Sequence, residues 1–146
     1  MKGMTLCLNL LAAGASAQTD PTSNVFFGFD FVLHPIAVKW ACGGAREGDL
    51  SGIEALAAAF PKDAEATDLH SLVEALSDVP EGQAGLSRLL GFAVSTRQVS
   101  DLCAAARPLT LDWLTPEGWA RGDEDAVPPE QRAAWEAFYR VVEGLR

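Results

Sequence analysis

Basic residues are scarce in this chain: 11 Lys and Arg stand against 20 Asp and Glu, giving a formal net charge of −9 over 146 residues. Sequence-independent affinity for a phosphate backbone needs clustered cations, so a nucleic-acid partner is excluded. No apolar run approaches the ~20 residues that cross a bilayer, which leaves no stable membrane anchor. Histidine is limited to His34 and His70, and cysteine to Cys7, Cys42 and Cys103. The chain has no Cys-x-x-Cys, Cys-x-x-Cys-His, His-Glu-x-x-His, Gly-rich phosphate loop or Gly-x-Ser-x-Gly elbow. These absences weigh together against thioredoxin-like, cytochrome, zincin, nucleotide-binding and elbow-hydrolase chemistry, and they call for no cofactor.

What is present is apolar. Hydrophobic residues make up 49% of the chain and charged ones 21%, a balance that excludes a disordered polyanion and suits one compact domain. At the amino end, Lys2 precedes a mostly apolar run from Leu6 to Ala13, and Ala15-Ser16-Ala17 places small residues where a signal peptidase reads them. Residues 1–17 therefore read as a signal peptide, 18–24 as a polar linker and 25–146 as the domain. The expected destination is a bacterial periplasm or the extracellular space. Cleavage after Ala17 removes Cys7 and leaves Cys42 and Cys103, an even pair for which a single disulfide is the expectation in an oxidising compartment.

Between residues 25 and 33 the pattern fits two periods. Phe27, Phe29, Phe31 and Leu33 alternate as in a strand, whereas Phe26, Phe29, Leu33, Ile36 and Trp40 recur at helical spacing. A strand would need a partner, and only the short pieces 92–94 and 109–111 offer one, so a helix is expected. Pro35 either kinks that helix or opens a second one, and Gly43-Gly44 stops it. Asp49 or Ser51 is expected to cap a helix facing inward through Ile53, Leu56, Ala57 and Phe60, ended by Pro61. Thr67 would cap the next, with Leu69, Leu72, Val73 and Leu76 on one face. Further helices are expected around Leu86–Leu90, after Ser95 or Thr96, after Thr115-Pro116, and from Pro129 through the stripe Trp135, Phe138, Tyr139, Val142 and Leu145. The fold class is all-α: an irregular bundle of about six short helices stapled by one disulfide.

Three functional readings follow, in order. The first is an exported, nonenzymatic accessory protein that binds a protein partner or a small apolar ligand. Its site would be a groove beside Trp113 and Trp119, with Glu117 in the intervening turn, because exposed tryptophan concentrates contact area at interfaces. Core packing is the more frequent use of all four tryptophans, Trp40, Trp113, Trp119 and Trp135, and the pair flanking the turn is the one that would line a groove. The second is a metal or cofactor carrier. Asp30 with His34 and His70 with Glu74 both sit at i,i+4, the spacing that brings two ligands to one helix face. The third is a small hydrolase relying on a carboxylate such as Asp30 or Glu117. Asp30 lies in an apolar run, where an ionised carboxylate either reaches solvent or needs a partner, for which Lys39 or Arg46 is available.

Overall fold

The computed structural model describes residues 29–61, 66–122 and 124–146; the expected signal peptide and linker lie outside them. Among the described residues there are seven α-helices, one short 3-10 turn at Glu124–Ala126, and no strand. The helices are α1 (Asp30–Ala41), α2 (Glu47–Ala59), α3 (Ala66–Ser77), α4 (Gln83–Leu90), α5 (Thr96–Ala106), α6 (Pro116–Arg121) and α7 (Pro129–Gly144).

The core is built around α1. Leu33 and every residue from Pro35 to Ala41 are buried, as expected of a helix covered on nearly all sides rather than along one stripe. It packs against α3, α4 and α5, while α5 packs in turn against α7 and α2 against α6. Leu56, Leu86, Leu102, Leu109 and Leu111 are fully enclosed with Phe29, Ile36 and Trp40.

Stops and starts follow local chemistry. At the end of α1 the Gly43 amide donates to Trp40 O (2.9 Å) and the Gly44 amide to Lys39 O (2.9 Å), and Gly43 takes φ +84°. That is the Schellman arrangement, which the left-handed freedom of glycine allows. Ser95 opens α5 with a reciprocal capping box: its hydroxyl accepts from Gln98 N and the Gln98 side chain accepts from Ser95 N. Thr115 caps α6 through Gly118 N, with Pro116 at the first helical position.

Two expected caps are corrected. Helix α2 begins at Glu47, with Arg46 at its N-cap and no side-chain cap, because Asp49 is drawn into the core and Ser51 lies a full turn inside. Helix α3 begins at Ala66, which puts Thr67 within it rather than at its cap. Cys42 and Cys103 form a disulfide with an S–S distance of 2.05 Å and a Cα–Cα distance of 5.6 Å, tying the C-terminal end of α1 to α5.

Candidate functional site

Pro35 shapes the surface of α1. Inside a helix, proline brings no amide to the carbonyl four residues back, here that of Phe31. The phenol of Tyr139, on α7, supplies the missing donor: its hydroxyl donates to Phe31 O at 2.9 Å. Burial raises the Tyr139 pKa above its ordinary value, because removing solvent penalises the phenolate. One turn away, His34 Nδ1 lies 3.1 Å from Asp30 O. A carbonyl only accepts, so Nδ1 carries a proton, and in the neutral ring Nε2 is left as the acceptor.

These residues border a groove of about 290 Å3 between α1, α4 and α7. Pro35 and Val38 form its α1 wall, Leu89 and Leu90 its α4 wall, and Phe138 and Val142 its α7 wall, with Asp30, His34, Phe31 and Tyr139 at the rim. Phe31 is 71% exposed and Tyr139 44%. An open apolar channel edged by two exposed aromatic rings is a surface suited to taking up another apolar group.

The structure treats the sequence-derived candidates differently. Asp30 is exposed in the first turn of α1, so it reaches solvent and does not need the partner that Lys39 or Arg46 offered. Those cations are used elsewhere. Lys39 pairs with Asp49 at 2.5 Å with both side chains buried, and Arg46 donates to Ser77 O at 2.8 Å while lying 5.6 Å from the centre of the Trp40 ring. Asp49 has two further partners: it accepts from Trp40 Nε1 (3.0 Å) and from the Leu111 amide (2.9 Å). This network bridges α1, α2 and the segment before α6.

Asp30, His34, His70 and Glu74 do not converge. Among the described residues no group of three or more His, Cys, Asp and Glu side chains could hold a metal ion. The reason is helical phase: α3 turns Leu69, Leu72, Val73 and Leu76 toward the interior, which leaves His70 and Glu74 exposed. Trp113 and Trp119 are partly buried and packed against the core. Trp113 Nε1 donates to Thr110 O at 2.7 Å, and Trp119 meets Phe29 edge-on with ring centroids 4.9 Å apart. Glu117 is exposed between them. None of the three lines the α1/α4/α7 groove, and of the residues that do, only Asp30 and His34 were site candidates from the sequence. A signal was available in Pro35, whose position within a helical pattern announces a carbonyl in need of a donor.

Comparison with protein-family models, with curated proteins and with solved structures finds no match for this chain.

Proposed function

We propose that this chain is a nonenzymatic binding protein of an oxidising, extracytoplasmic compartment, and that the groove between α1, α4 and α7 receives a small apolar ligand. The observation that carries the reading is the groove itself: about 290 Å3 of space walled by Pro35, Val38, Leu89, Leu90, Phe138 and Val142. That volume lies at the small end of the ~300–1,000 Å3 typical of ligand sites. For comparison, an apolar cavity of about 150 Å3 accommodates benzene. Export is supported by the signal-like pattern of residues 1–17 and by the Cys42–Cys103 bond, since such bonds persist where thiols are not kept reduced.

A neutral naphthylamine dye whose emission rises in apolar surroundings tests the site. It should bind the wild-type protein at one site, and Val142→Trp, which fills the groove from the α7 wall, should remove that signal while leaving the helical circular dichroism intact. Undiminished dye binding by a folded V142W protein would assign the apolar surface elsewhere.

A further inference from the structure

The polar groups at the groove rim define what kind of head an apolar ligand would carry. Three side chains with polar atoms line the groove: Asp30, His34 and Tyr139. Asp30 is a carboxylate and accepts only. His34 has committed its Nδ1 proton to Asp30 O, which leaves Nε2 as an acceptor. Tyr139 has committed its hydroxyl proton to Phe31 O, which leaves the phenol oxygen as an acceptor. With the His34 ring neutral, every side-chain donor at the rim is therefore already used, and no Lys or Arg lines the groove.

The first turn of α1 is the other place where donors could be found, and it would favour an anion. Val32 N and Leu33 N both donate to Phe29 O at 3.0 Å, and Asp30 itself supplies the negative charge that a helix N-terminus attracts. A carboxylate head would meet that charge and find no side-chain donor.

Resting on the groove reading above, we infer that the ligand is a cationic amphiphile, an apolar chain or ring carrying a protonated primary amine, whose ammonium donors meet Asp30 and the acceptors of His34 and Tyr139. An ammonium has three donors and no acceptor, the complement of this rim. The acidic surface of the whole molecule, with net charge −9, adds a long-range attraction of the same sign.

Calorimetric titration with three probes of equal chain length, decylammonium, decanol and decanoate, each below its micelle-forming concentration, tests the inference. In wild-type protein decylammonium should bind about two- to fivefold more tightly than decanol, the size expected for one exposed ion pair, and decanoate should bind more weakly than decanol. Asp30→Asn should close the gap between decylammonium and decanol, with thermal melting confirming the fold. Glu54→Gln, an exposed carboxylate on α2, should leave that gap in place and so separate a local contact from the general acidic field. Decanoate binding as tightly as decylammonium, or a gap that survives D30N, would overturn the inference. The two readings fail separately: if decanol binds wild-type protein but not V142W while the head group makes no difference, only the cationic assignment falls. If no probe binds, the groove reading falls and takes the assignment with it.

Discussion

Tyr139 is the only tyrosine in the chain, so its titration can be followed directly by phenolate absorbance. Its folded pKa is raised by burial, so the native state holds its proton more tightly than the unfolded chain does. Stability from this group is complete below the ordinary tyrosine pKa of about 10 and is lost as pH rises through the raised native value. Native protein should accordingly ionise at higher pH than denatured protein, and Tyr139→Phe should flatten the alkaline fall in stability. The same substitution orphans Phe31 O and should cost about 1 kcal/mol in denaturant unfolding at neutral pH. Asp49 predicts a larger effect. Asp49→Ala strands the buried Lys39 ammonium and removes the acceptor of Trp40 Nε1 and of the Leu111 amide, so a loss of about 3–5 kcal/mol is expected. Adding Lys39→Met to that variant should restore part of the loss, since an apolar pair avoids the desolvation that an unpaired charge suffers. A double variant less stable than Asp49→Ala alone would show that Lys39 has other favourable contacts.

Helix boundaries were legible wherever a single residue decides them. Ser95, Thr115-Pro116 and Gly43-Gly44 each act through backbone groups within a few positions, and the helices end or begin where those residues stand. Ser95→Ala should lower stability by about 1 kcal/mol in a denaturant titration, through loss of the Gln98 amide's acceptor; an unchanged midpoint would mean water replaces the hydroxyl at no cost. Asp49 shows where local reading stops. Its type and its place near a helix start suit a cap, yet the backbone amide it accepts from belongs to Leu111, 62 residues away. The groove was illegible for the same reason. Its walls come from helices near residues 35, 90 and 140, and the contact that joins its rim spans 108 positions, from Phe31 to Tyr139. Apolar periodicity says which face of a helix turns inward but not which helix it meets. The strand-like alternation of Phe29, Phe31 and Leu33 misleads in a related way: Phe29 and Leu33 are buried, whereas Phe31 is exposed at the groove mouth.

At the scale of the molecule, the all-helical class and the single disulfide were readable from composition, helical spacing and the even count of cysteines beyond residue 17. The bond closes a loop with a sequence separation of 61, for which chain entropy suggests about 4 kcal/mol as an upper figure. Reduction should thus lower the melting temperature by many degrees, since about 1 kcal/mol moves a domain of this size by roughly 4 °C. Thiol titration of denatured, unreduced protein reads the bond and the amino terminus together. The full chain should show Cys7 alone, and protein cut after Ala17 should show no free thiol. Two additional thiols would disprove the bond. Mass spectrometry of protein from its native host should place the amino terminus at or near Gln18 if residues 1–17 are removed, and an intact Met1 would refute the export proposal.

The helix on which the others depend comes early in the chain. Eight of the twelve residues of α1 are buried, yet α3, α4 and α5, the helices that cover it, all follow it in the order of synthesis. As the polypeptide emerges, that apolar surface is not fully covered until the chain has been made as far as Ala106, and the disulfide cannot close before Cys103 arrives. The full covering of α1 therefore needs helices from well beyond its own part of the chain.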